Sequence, residues 1–128
     1  MELNTHLKLD NELNGTIIEL KENYAKVELK TLEKMAADMQ GLVHGGFIFC
    51  AADFAAMAAV NDPYVVLAKS TVKFTAPVKA GDIVFLEGNI IQKEGNKVTV
   101  EVSAKVEEKE VFKGEFLTVV LKQHVLSL

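Results

Sequence analysis

The feature that most constrains this chain is the stretch from Gly45 to Val60. Phe47 to Val60 is rich in alanine, carries Phe47, Ile48, Phe49, Phe54 and Met57, and has no proline. Alanine and methionine favour helix. A helix apolar on nearly every face is predicted to be buried all round. Gly45-Gly46 opens it and Asn61-Asp62-Pro63 ends it. A lone helix of this kind needs a sheet curled around it.

The rest of the chain supplies that sheet. Gly15 to Lys21 reads as a strand, and Glu22-Asn23 as a turn. In Tyr24 to Lys30, Ala25, Val27 and Leu29 alternate with Lys26, Glu28 and Lys30, which predicts a half-buried strand. Thr31 is placed to cap a helical turn through Lys34 or Met35. After Pro63 the pattern is β. Tyr64 to Pro77, Ile83 to Gln92, Val98 to Val106 and Val111 to Val125 are strands, with turns at Lys79 to Asp82, Glu94 to Asn96 and Glu107 to Glu110. A hairpin, one helix and a meander of strands make an α+β fold with an antiparallel sheet. A sheet covered on one face leaves apolar surface, so a partner subunit is expected.

Composition narrows the function. The 128 residues fit one domain, spanning 1–128. The net charge of −4 argues against nucleic acid as a partner. All basic side chains are lysine, so a phosphate site must use point charges, backbone N–H groups or a helix end rather than guanidinium forks. Met1 to Gly15 lacks the apolar core of a signal peptide. Gly45 to Val60 contains Asp53 and is short for a bilayer span. No membrane partner and a cytoplasmic location are expected. Cys50, the only cysteine, excludes an intrachain disulfide and reads as a small core residue. His6 and His124 read as solvent-exposed. With three scattered histidines, no metal site is expected.

Three physical features meet before and within the helix. His44-Gly45-Gly46 either makes a tight turn into a packed helix or lets a ligand approach free N–H groups at the positive helix end. In the second case it could serve as an oxyanion hole for a thioester carbonyl. Asp53 is a carboxylate in an apolar helix, costly unless neutralised, paired across an interface or put to use. It lies nine residues after His44, roughly 10 Å from the start of its own helix at 1.5 Å per residue. That spacing suits an active site shared between two copies about a twofold axis.

The segment Gly41-Leu42-Val43-His44-Gly45-Gly46 through Ala52-Asp53 resembles the signature of the hotdog-fold acyl-CoA thioesterases, in particular the PaaI-like thioesterases of phenylacetate metabolism. Asn61, Phe74, Pro77 and Gly81-Asp82 match the pattern that follows, and the resemblance runs from about Gly15 to Val120. It implies an antiparallel sheet wrapped around one long central helix, assembled as a homodimer or tetramer. It implies an acyl-CoA or other acyl thioester as substrate, with coenzyme A entering as part of that substrate and no separate cofactor. Gly45 N–H would polarise the carbonyl, with Gly46 beside it. Asp53 of the partner chain would be general base or nucleophile, and His44 would hold the turn through hydrogen bonds. Asn61 is carried over as a substrate-side residue. Many relatives place asparagine or glutamine where this chain has Asp38; Gln40 is the substitute. A carboxylate at Asp38 near Asp53 would raise the pKa of one of them. The departure keeps a second reading open, a non-hydrolytic acyl-CoA binding or regulatory protein. Lys69, Lys73 and Lys79 are candidates for the nucleotide phosphates.

Overall fold

The computed structural model describes residues 1–128. A one-turn helix α1 (Asn11–Asn14) precedes strands β1 (Thr16–Lys21) and β2 (Tyr24–Lys30). A short 3-10 turn (Glu33–Met35) leads to helix α2 (Gly45–Val60). Strands β3 (Val65–Phe74), β4 (Ile83–Glu94), β5 (Lys97–Val106) and β6 (Lys109–Val120) follow. They form one antiparallel sheet in the order β1-β2-β4-β5-β6-β3. This sheet curls around α2 in the hotdog arrangement. The strands after the helix thus flank the hairpin that precedes it, and β1 and β3 are the open edges.

Alternation decides which face meets the helix. Ala25, Val27 and Leu29 of β2, Val84 and Leu86 of β4, and Val98, Val100, Val102 and Ala104 of β5 are all buried. Phe112 and Phe116 of β6 complete the core. Alanine in α2 lets the helix lie close to this surface. At the crossing with β4, a Cβ on Gly88 would stand only 2.8 Å from the carbonyl oxygen of Ala55. The fully buried Thr118 finds a partner: its Oγ1 donates to the carbonyl of Val98 at 2.8 Å.

Several expectations are corrected. The last strand ends at Val120 rather than Val125, and Val125–Ser127 forms a 3-10 turn. Thr31 does not cap the Glu33–Met35 turn, whose N-cap is Leu32 with no side-chain bond. The Thr31 hydroxyl is drawn instead to the Lys79–Asp82 turn, donating to the Asp82 carbonyl at 2.6 Å. Helix α2 is not buried all round. Gly46 and Cys50 are exposed and Asp53 is half-buried, and their spacing puts them on one stripe. Cys50 is therefore not a core residue.

Candidate functional site

The turn before α2 is held by backbone. His44 N–H donates to the Met35 carbonyl at 2.9 Å and Val43 N–H to the Val78 carbonyl at 2.8 Å. His44 is the N-cap, and its imidazole makes no capping bond. The ring lies edge-on to Phe47 at 6.2 Å and close over Gly46, where a Cβ would come within 3.2 Å of it. So the hydrogen bond by which His44 holds the turn comes from its main chain.

Gly45 and Gly46 are the first residues of the helix, and neither N–H donates to a turn, loop or cap carbonyl. Both groups therefore remain available at the positive end of the helix. Gly45 lines a cleft of about 370 Å³ whose other walls include Leu42, Ile48, Phe74, Pro77 and Val111. The cleft is mostly apolar, with donors at the helix start. Such a site suits a ligand that is greasy along its length and carries one carbonyl oxygen. Gly45 also has a steric reason to be glycine, since a Cβ would sit 3.1 Å from the Phe74 ring.

Asp53 faces elsewhere. It lines a separate cavity of about 390 Å³ together with His6, His124, Pro63, Val65 and Leu67. Its Oδ1 is buried and has no hydrogen-bond partner in the protomer. Burial pushes its carboxyl up to about 6. Within one chain the helix start and the carboxylate thus open into different cavities. One turn before Asp53, the Cys50 thiol is held above its ordinary value, first by burial and then by the charge of Asp53.

The remaining candidates have structural employment. Asp38 Oδ1 accepts from the N–H groups of Gln40 at 3.0 Å and Leu42 at 3.2 Å, which shapes the exposed loop before the turn. The rise at Asp53 has burial as its cause and owes nothing to Asp38 of the same chain. Gln40 is exposed. Asn61 caps α2 in the left-handed conformation, and its carboxamide binds the segment before α1, accepting from Asn4 N–H at 2.7 Å and donating to the Glu2 carbonyl at 2.9 Å. His6, expected to be exposed, is half-buried and lines the same cavity as Asp53, whereas His124 is exposed as expected. Sequence reasoning missed both histidines as walls of the Asp53 cavity, because no spacing along the chain connects positions so far apart. No cluster of potential ligands fit for a metal ion is present, and no helix is long and apolar enough to cross a membrane.

This geometry has relatives. In sequence the chain is 50% identical over 121 residues to the methylthioribose-1-phosphate isomerase of Aquifex aeolicus, covering 94% of this chain and 26% of that protein. It is 31% identical over 120 residues to the transcription factor FapR of Caldanaerobacter subterraneus, covering 93% of this chain and 60% of that one. The chain therefore spans between about a quarter and three fifths of these curated relatives. In structure it is similar to the uncharacterized protein PH1136 of Pyrococcus horikoshii, with a TM-score of 0.97 and 49% identity over 98% of this chain and 97% of that one. A phenylacetic acid degradation protein PaaI of Thermus thermophilus, in a mutant form, shares the fold at a TM-score of 0.78 and 23% identity, over 85% of this chain and 95% of that one. The model of the Thioesterase superfamily matches residues 40–113. With more than half of its length so matched, and with the hotdog fold around it, this chain belongs to the thioesterase superfamily.

Proposed function

We propose that the protein hydrolyses acyl-coenzyme A thioesters at a site assembled from two copies of the chain. The observation that carries the reading is the separation of two complementary half-sites. Gly45 offers a free N–H at a helix start beside an apolar cleft, and Asp53 offers a carboxyl raised to about 6 in another cavity. In a twofold dimer, the Gly45 cleft of one protomer meets the Asp53 cavity of its partner. The cleft takes the acyl chain and its thioester. Gly45 N–H, supported by the helix end, stabilises charge on the carbonyl oxygen. Asp53 of the partner accepts the proton of the attacking water, for which a value near 6 suits a base at neutral pH. Membership of the superfamily supports the reaction class. Coenzyme A is part of the substrate, no further cofactor is required, and a cytoplasmic location supplies such substrates.

The test is release of free thiol from short, medium, long and aromatic acyl-CoAs, run beside Asp53→Asn. Turnover lost in the variant, with the fold kept, supports the assignment. Full turnover in Asp53→Asn refutes it.

A second reading is favoured by one observation: some curated relatives are named transcription factors rather than enzymes. On that reading the protein binds acyl-CoA without hydrolysing it and acts in regulation. Saturable acyl-CoA binding with no thiol release distinguishes it. No isomerase activity is proposed, because the chain spans only 26% of the relative so named.

A further inference from the structure

The Asp53 cavity owes two of its polar walls to segments outside the six-stranded frame. His6 comes from the strap before α1 and His124 from the segment after β6. The strap is clamped rather than loose. Asn61 at the end of α2 grips it at Glu2 and at Asn4, and its Thr5 is buried. His6 then takes φ +55, a left-handed conformation that a residue other than glycine seldom adopts unless its surroundings impose it. Its Nδ1 lies 2.8 Å from Thr5 Oγ1, which leaves Nε2 as the nitrogen free for the cavity. Burial holds the His6 imidazole below its ordinary value, so the ring is neutral near pH 7. His124 is fixed differently: its Nδ1 accepts from Leu126 N–H at 3.0 Å, so its neutral ring carries the proton on Nε2.

We propose that His6 is a positioning residue of the Asp53 site, its Nε2 holding by hydrogen bond the water that Asp53 deprotonates. This rests on the hydrolytic reading above. In the step, the water oxygen bonds to the thioester carbonyl carbon as one proton passes to Asp53. The C–S bond then breaks, and the thiolate leaves with the proton from Asp53. The product acid loses its one carboxyl proton, the water's second, to solvent. His6 is neither protonated nor consumed. With its Nδ1–H donating to Thr5 Oγ1, its Nε2 accepts a hydrogen bond from the water's second hydrogen, which aims the attacking lone pair. A strained, clamped strap is what would fix that imidazole to the tolerance such aiming needs.

Two measurements test this. The first uses the free protein and no substrate. The titratable groups that face the cavity are His6, Asp53 and His124, with Cys50 one turn away on the same helix. Imidazole resonances of His6 are titrated by NMR in the wild type and in Asp53→Asn. If one water joins the two side chains, removing the carboxylate moves the His6 imidazole resonances. Unchanged His6 resonances overturn the proposal. The second is thiol release by His6→Ala and His6→Gln. His6→Ala lowers kcat by about a hundredfold with KM within about twofold, the cost of a misplaced reactant. His6→Gln, which keeps an acceptor, recovers part of it. Wild-type kcat in His6→Ala overturns the positioning role. If no acyl-CoA is hydrolysed by the wild type while Asp53→Asn still moves His6, the hydrolytic reading falls and the His6–Asp53 pairing stands.

Discussion

Gly45 lies so close to Phe74 that a Cβ at position 45 would stand 3.1 Å from the edge of the aromatic ring. Phe74 is itself braced edge-to-face against Phe112 at 5.2 Å and is 55% exposed. The glycine that opens the helix and the aromatic that ends β3 thus form one wall of the apolar cleft. Gly45→Ala must push the ring outward by a few tenths of an ångström. We expect it to fold, at a cost of about 1 kcal/mol, and to lose most thioester turnover because the ring and the N–H both shift. Phe74→Ala added to Gly45→Ala should return the stability without returning the rate. Thermal melts and thiol release on the two variants decide this.

Phe74 also bears on substrate choice. It walls the same cleft as Ile48, Pro77 and Val111. Phe74→Ala should enlarge the cleft and move the preference of kcat/KM toward longer or bulkier acyl groups. Pocket contacts of this size are worth roughly 1–3 kcal/mol, or 10- to 200-fold in discrimination. A panel of acyl-CoAs of graded length reads the shift, and an unchanged ranking would remove the cleft from the acyl path.

The helix–sheet crossing gives a prediction independent of function. Gly88 faces the backbone of α2, and its missing Cβ would meet the Ala55 carbonyl oxygen at 2.8 Å. Backbone cannot step aside as a flexible side chain can. Gly88→Ala should destabilise the fold by about 1–3 kcal/mol, and Gly88→Val by more, as measured by urea unfolding.

Much of this architecture was legible in the sequence, because period and composition carry it. Strict alternation in Val98 to Val106 could only be a strand buried on one face. Alanine and methionine over Phe47 to Val60, with no proline, mark a helix. The errors share a physical cause. The mean character of α2 predicts burial all round, whereas the Gly46–Cys50–Asp53 stripe is set by which side the sheet leaves open. Helix α1 has four residues, too few to show a period, and its start is marked only by Asp10 accepting from Glu12 N–H at 2.8 Å. The role of Asn61 depends on Asn4, 57 residues away, and no local pattern encodes such a contact. The same holds for His6 in the wall of the Asp53 cavity.

That clamp can be tested. Asn61→Gly keeps the left-handed helix cap and removes both strap bonds, whereas Asn61→Ala also strains the cap. Asn61→Gly should cost about 1–2 kcal/mol for the two hydrogen bonds and speed amide exchange in residues 1–9. Asn61→Ala should cost more by about another 1 kcal/mol. Equal exchange in the wild type and Asn61→Gly would show that the strap is held by other contacts.

Asp53 carries a stability cost with a defined pH window. Its carboxyl is raised by burial from 3.8 to about 6. The folded state therefore holds its proton more tightly than the unfolded state does. Below about pH 4 both states are protonated and the group is neutral to stability. As pH rises from about 4 to about 6 the unfolded chain releases the proton first, so stability falls, and above about 6 the loss is complete. Two units would amount to about 3 kcal/mol, and partial access to solvent reduces this to on the order of 1 kcal/mol. Asp53→Asn removes the charge with little change of shape. It should raise Tm by a few degrees at pH 8 and leave it unchanged at pH 4, while thiol release, which in the wild type rises through about pH 6 and then levels, is lost at every pH. A variant equally stabilised at both pH values would mean that the charge of Asp53 is already compensated in the folded protein, which would remove the reason for a base with a raised pKa at this position.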